Sequence, residues 1–133
     1  MRILIPAGQA EADLTREYGY PEVPPGQHWL RANMITSVDG AAVDAAGSSR
    51  DLSGPADRKV LGVLRRLTDV IVVGAGTVRA EPAGYRAIRP SAEIQHRRVS
   101  AGQTPGPRVA IVTASLDLDL AGPPFQYSRP LII

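Results

Sequence analysis

Cysteine is absent from the chain. That excludes disulfides, thiolate metal sites and cysteine nucleophiles, and it fits a reducing, cytoplasmic setting. No apolar run approaches the roughly 18–20 residues that a membrane-spanning helix needs, so no membrane partner is expected. The opening Met1-Arg2-Ile3-Leu4-Ile5-Pro6 reaches its proline too soon for a secretory core. Histidine is confined to His28 and His96, in no His-x-Glu or His-Glu-x-x-His pattern, so zinc chemistry has no ligand set. His28 reads as a strand flank, and His96 as part of a solvated polar helix with Arg97 and Arg98. Neither a Gly-x-Ser-x-Gly elbow nor a Gly-Lys-Ser/Thr phosphate loop occurs, which removes the α/β-hydrolase and P-loop readings. Lysine is nearly missing too: Lys59 is the only one, and the remaining basic residues are arginine. The net charge of +2 and pI near 9.4 suit an anionic small ligand. They fall short of the dense basic face that nucleic acid demands.

What is present begins with Asp69 to Thr77, Asp-Val-Ile-Val-Val-Gly-Ala-Gly-Thr. Four β-preferring residues run into two glycines, predicting a parallel strand buried on both faces. Glycines at its carboxyl end let a ligand approach the backbone, and ligands of open α/β sheets sit at that end. Two readings carry equal weight: a cradle for a phosphate-bearing cofactor or substrate, and a tight connection with no ligand. A Rossmann fingerprint is excluded, because Arg79 stands where its third glycine belongs.

The chain's 133 residues suffice for one domain with a core. Ile3 to Ile5 reads as a short strand, Ala12 to Tyr18 as a helical turn or two, and Tyr20 to Gly26 as a proline-rich connector. His28 to Thr36 is the next expected strand. It leads into Ser37-Val38-Asp39-Gly40, a turn, and then an Ala/Gly/Ser loop from Ala41 to Asp51. Ser53-Gly54-Pro55-Ala56-Asp57 starts a helix that runs to about Thr68, with Ser53 or Gly54 as its cap. Val60, Leu61, Leu64 and Leu67 mark its apolar face; Arg58, Lys59, Arg65 and Arg66 lie mainly off it. After Thr77 comes a short helical turn broken by Pro82. Ser91 to Ser100 reads as a polar helix, Arg108 to Thr113 as a strand, and the alternating Leu116-Asp117-Leu118-Asp119-Leu120 as a strand or edge segment. A strand opens at Pro130, and the sequence is expected to be the N-terminal part of a longer protein. Asp39 reads either as a turn residue bonding its own backbone or as a group that orients a polar ligand or moves a proton. Arg65 is either a surface helix residue or a phosphate holder. Arg86, Arg89, Arg97 and Arg98 are either solvated or a grip for a 2′-phosphate of NADP.

The motif Asn33-Met34-Ile35-Thr36-Ser37-Val38-Asp39-Gly40, then Leu52-Ser53-Gly54-Pro55-Ala56-Asp57, Leu64-Arg65 and Asp69 through Glu81, resembles the reductase domain of riboflavin biosynthesis. That domain is the C-terminal half of the bifunctional deaminase-reductase and also occurs as a standalone pyrimidine reductase. Order and spacing agree over residues 29–85. The resemblance implies an α/β, dihydrofolate reductase-like three-layer sandwich with a mostly parallel central sheet, incomplete in this chain, and a homodimer. Residues 1–133 would be the N-terminal part of one reductase domain, with 1–28 a leading segment and 29–133 its sheet and helices. It implies NADPH as hydride donor and a small-molecule substrate, 5-amino-6-(5-phosphoribosylamino)uracil, reduced at its ribosylamino group. On this sequence the implied cofactor contacts fall on Thr36, Asp51, Gly74, Gly76, Thr77 and Glu81. The implied substrate contacts fall on Ser49 and Arg65, with Asp39 bordering the substrate as the catalytic residue. Asn33 replaces the family's frequent lysine, Glu81 its aspartate, and Asp51 a hydrophobic loop residue. Dihydrofolate reductase-like activity on a related ring, and a non-catalytic nucleotide-binding relative, are the alternatives. No deaminase module is expected, since no cysteine or zinc motif is present, and the family's further glycine-rich turn is missing from these residues.

Overall fold

The structure, a computed structural model, describes residues 11–45, 47, 49, 51–85, 90–126 and 129–133. The strand expected at Ile3 to Ile5, and Arg86 and Arg89, lie outside the described residues. The chain divides into two compact units, Met1–Leu67 and Thr68–Ile133.

In the first unit, helix α1 (Leu14–Glu17) is one turn long. Asp13 caps it: its Oδ1 accepts from the Thr15 amide at 3.0 Å and the Arg16 amide at 3.3 Å, satisfying donors the helix cannot. Helix α2 (Pro55–Leu67) starts at proline, whose missing N–H costs nothing in a first turn. Gly54 holds the cap position, because its carbonyl accepts the first helical bond, from Arg58, at 3.0 Å. Ser53 acts one residue earlier, its hydroxyl donating to Asp57 Oδ2 at 2.6 Å. Val63 and Leu64 are buried, while Val60, Leu61 and Leu67 are half-buried. Helix α1 lies against α2, with Leu14 buried.

No strand forms over residues 28–36; Leu30 is 86% and Met34 77% exposed. Its residue types favour a strand, but a strand exists only where a neighbour takes up its N–H and C=O groups. Side chains tether the segment instead. Arg31 Nη1 donates to the Tyr18 carbonyl at 2.5 Å, and its guanidinium lies 4.6 Å from the Tyr20 ring centre and 5.9 Å from that of Tyr18. Both ring distances are within cation–π range.

The second unit is an α/β layer arrangement. Strand β1 (Val70–Gly74), helix α3 (Ala75–Ala80), a 3₁₀ turn (Pro82–Tyr85) and helix α4 (Ala92–Ser100) precede strand β2 (Arg108–Val112). Helix α5 (Pro123–Gln126) and strand β3 (Leu131–Ile132) follow. Among the described residues the sheet has three strands in the order β1-β2-β3, both pairs parallel. Val73 sits opposite Ile111 and Gly74 opposite Val112 in register. Parallel neighbours require a crossover, which α3 and α4 supply between β1 and β2. The α/β class with a parallel sheet is thus observed as expected.

The core lies on one sheet face: Val73, Ala75, Val78, Val109 and Ile111 cluster there, with Tyr85, Leu118 and Phe125 packed on them. The middle of β2 is buried on both faces, with Val109, Ala110 and Ile111 all inside, whereas β1 is not. Val72 is 59% exposed, so β1 is not buried on both faces as its unbroken apolar run predicts. Among the described residues β2 is the central strand and β1 an edge, and only the Val73 side of β1 meets the cluster.

The strand expected at Leu116 to Leu120 is irregular chain. Leu116 takes φ 57°, outside the extended region. Neighbouring side chains draw the backbone into local bonds: Thr113 Oγ1 accepts from the Leu116 amide at 3.1 Å, and Asp119 Oδ1 from the Ala121 amide at 3.0 Å. Arg98 also departs from expectation. It is buried, whereas His96 and Arg97 on the same helix are exposed.

Candidate functional site

The candidate residues fall on both units. In the first, Ser37 to Ala41 reverses the chain. The Gly40 amide donates to the Ser37 carbonyl at 3.0 Å, and the Ser37 amide to the Ala41 carbonyl at 2.9 Å. Gly40 takes φ +88°, the left-handed geometry that closes a three-residue reversal of this kind. Thr36 immediately precedes the reversal, and both it and Asp39 are exposed. Ser37 Oγ donates to Asp39 Oδ1. That bond, then the Ala41 amide, hold the Asp39 carboxyl below the ordinary aspartate value. A carboxylate fed by such donors is an acceptor at neutral pH.

Ser49 and Asp51 share a second turn, closed by the Leu52 amide donating to the Ser49 carbonyl at 3.2 Å, and both are exposed. Arg65 lies in the last turn of α2 and is partly exposed. The first unit therefore places Thr36 next to the turn that carries Asp39, and Ser49 with Asp51 in another.

In the second unit the four candidates are contiguous. Gly74 ends β1 in extended conformation (φ −74°, ψ 144°) and leads straight into α3. Gly76 and Thr77 occupy that helix's first turn, exposed. Glu81 closes it, its amide donating to the Thr77 carbonyl at 2.8 Å. A Cβ placed on Gly74 or on Gly76 would meet no atom within 4 Å, so the carboxyl end of β1 presents open backbone. This is where an open parallel sheet receives ligands. From α3, Arg79 Nη1 donates to the Asp117 carbonyl at 2.9 Å and faces Asp117 Oδ2 at 3.9 Å, tying the segment after β2 to this helix.

Two arginines of the basic run have other work. Arg97 faces Glu93 Oε1 one helical turn away at 3.7 Å. Arg98 Nε donates to the Thr104 carbonyl at 2.8 Å and Nη1 to the Thr68 carbonyl at 3.0 Å; Nη2 faces Asp69 Oδ1 at 3.7 Å. Arg98 thus binds protein at the amino end of β1, opposite the end that offers open backbone. Among the described residues no group of three or more His, Asp or Glu is placed to hold a metal ion, and no helix is long and apolar enough to cross a membrane. Ser37 is the residue that motif reading passes over. Its signal is a hydroxyl two positions before an aspartate in a Ser-x-Asp-Gly turn, a spacing that lets the two side chains meet.

The family model described as "RibD C-terminal domain" matches residues 28–127. A 2,5-diamino-6-ribosylamino-4(3H)-pyrimidinone 5′-phosphate reductase from Archaeoglobus fulgidus is 32% identical over 84 residues, which are 63% of this chain and 37% of that protein. A riboflavin biosynthesis protein RibD from Chlamydia trachomatis is 32% identical over 83 residues, 62% of this chain and 20% of that protein. The crystal structure of a pyrimidine reductase-like protein from Corynebacterium diphtheriae superposes with a TM-score of 0.58 at 31% identity, covering 67% of this chain and 35% of that one. The chain therefore spans well under half the length of each of these relatives.

Proposed function

Because the chain belongs to the RibD C-terminal domain family, we propose that it forms part of an NADPH-dependent reductase acting on a ribosylamino-pyrimidine phosphate of riboflavin biosynthesis. One observation carries the reading: the carboxyl end of β1 is side-chain-free backbone at Gly74 and Gly76, open to approach. The printed activity of the archaeal relative names the substrate class.

The residues at that strand end fit a nucleotide cofactor. Open glycine backbone admits a phosphate closely, and the exposed Thr77 hydroxyl adds a donor beside it. NADPH, when bound, supplies a hydride for the ribosylamino carbon. The chain's own residues bind and orient: in the second unit Gly74, Gly76, Thr77 and Glu81 on the cofactor; in the first, Ser49 and Arg65 on the substrate. Arg65 offers a planar fork matched to phosphate. Asp39, held ionised, serves as a hydrogen-bond acceptor at the substrate.

The test uses the full-length protein with NADPH and the 5′-phosphate of the diaminopyrimidinone or of its deaminated uracil counterpart. Steady loss of absorbance at the nicotinamide band with either is the expected result. Oxidation with dihydrofolate alone would move the assignment to that substrate. Nucleotide binding with no oxidation on any of the three would leave a non-catalytic relative and overturn the proposal.

A further inference from the structure

Ser37 has a side chain that neither the cofactor contacts nor the substrate contacts use. Its hydroxyl carries one proton and faces two acceptors, Asp39 Oδ1 and, at 3.3 Å, the Ala41 carbonyl. Asp39 Oδ1 is the nearer, so the proton goes there. The oxygen lone pairs are engaged as well, because the Ala41 amide donates to Ser37 Oγ at 3.0 Å. The hydroxyl is thus a link in a short relay, Ala41 amide to Ser37 to Asp39, in which each donor points toward the carboxylate. Bonds around Gly40 fix the ends of the reversal independently of any side chain, through the Gly40–Ser37 and Ser37–Ala41 backbone pairs. The relay therefore adds little to closing the turn. It acts on the exposed Asp39 side chain, whose direction the backbone bonds leave open.

We propose that Ser37 is a positioning residue, which aims the Asp39 carboxylate at a hydrogen-bond donor of the substrate (a ring N–H, an exocyclic amine or a sugar hydroxyl). This rests on the reductase reading for the identity of the donor. An untethered exposed aspartate samples several rotamers, and freezing one of them before the substrate arrives removes that cost from binding and from reaching the reactive geometry.

Two measurements on the full-length protein test this. The first follows the Asp39 side-chain carboxyl carbon by NMR through an acid titration and needs no turnover. Ser37→Ala is expected to raise the Asp39 midpoint toward 3.8, the ordinary value, and Ser37→Thr, which keeps a hydroxyl, to leave it low. A midpoint unmoved by Ser37→Ala overturns the link. The second is steady-state kinetics with NADPH and the pyrimidine phosphate. Ser37→Ala is expected to lower kcat/KM for the pyrimidine about tenfold, with KM for NADPH unchanged and most of the loss restored by Ser37→Thr. Equal losses in the alanine and threonine variants, or a matching rise in KM for NADPH, would mark a merely structural role and overturn the proposal. Absence of turnover in the parent protein overturns the reductase reading, and the titration still decides whether Ser37 controls Asp39.

Discussion

Gly40 holds φ +88° and a Cβ built there meets nothing within 4 Å. Alanine at this position would suffer no clash, only the intrinsic cost of left-handed backbone, about 1–2 kcal/mol. Gly40→Ala is expected to lower the unfolding free energy measured by urea denaturation by that amount, and an unchanged value would show that the turn relaxes to another geometry. Asp39, beside it, makes stability depend on pH. Its folded-state value is lowered from 3.8, first by Ser37 and then by the Ala41 amide. A depressed carboxyl stabilises the fold above its unfolded value, and the gain disappears as pH falls through the folded value. Unfolding measured at stepped pH should therefore separate Asp39→Asn from the parent at neutral pH and bring them together in acid. A gap that widens on acidification contradicts the assignment. Arg98 is the other residue whose work is local. It bridges the carbonyls of Thr104 and Thr68 from a side chain 4% exposed. Arg98→Ala leaves both acceptors short of a donor, at an expected cost on the order of 2–3 kcal/mol by urea denaturation. Arg98→Lys brings a point charge in place of the fork and should recover only part. Asp69, its charged neighbour, is 68% exposed at its side chain and contributes little.

Elements differ in how fully the sequence specifies them. Helix α2 is legible because its boundaries are chemical: Ser53-Gly54-Pro55 starts it, and apolar residues recur at helical spacing as far as Leu67. β1 and β2 are legible as runs of β-branched residues. The sequence places Gly74 and Gly76 at a strand end, and that half of the candidate site follows from local pattern alone. Residues 28–36 are different. Their composition suits a strand, but pairing is a property of two segments, and a single segment's pattern carries half the information. Leu116 to Leu120 alternates correctly and still fails, because threonine and aspartate hydroxyls and carboxylates compete for the same backbone amides. The burial of Arg98 needs three acceptors from residues 68, 69 and 104 to converge, which no window of sequence contains. Ser37 lies between these cases: its spacing to Asp39 is visible, its direction only in the folded turn. Within the sheet, Ile111 is the most enclosed side chain, 0% exposed on the central strand. Ile111→Ala should cost about 2–5 kcal/mol, and Ile111→Val about 0.5–1.5, since the cavity grows with each methyl removed. Equal costs for the two would mean the cluster collapses around the gap.

At the scale of the molecule, charge and family point to one class of ligand. Net charge is +2, and the surplus is almost all guanidinium. NADPH carries a 2′-phosphate that NADH lacks, so NADPH is expected to raise the melting temperature of the full-length protein more than NADH does, through mass-action stabilisation of the folded state. Thr77→Val should shrink that rise by removing a donor from the open strand end. No shift with either nucleotide would remove the cofactor assignment. The stretch of chain before the family match bears on the same experiments. The match begins at residue 28, yet Arg31 is clasped by Tyr18 and Tyr20, which precede it. A protein trimmed to the matched residues would strip two aromatic faces and a carbonyl from that guanidinium and release the segment running from Trp29 into the Ser37 turn. A loss of activity on such trimming would report the missing clasp, and a boundary drawn from similarity alone would have hidden its cause.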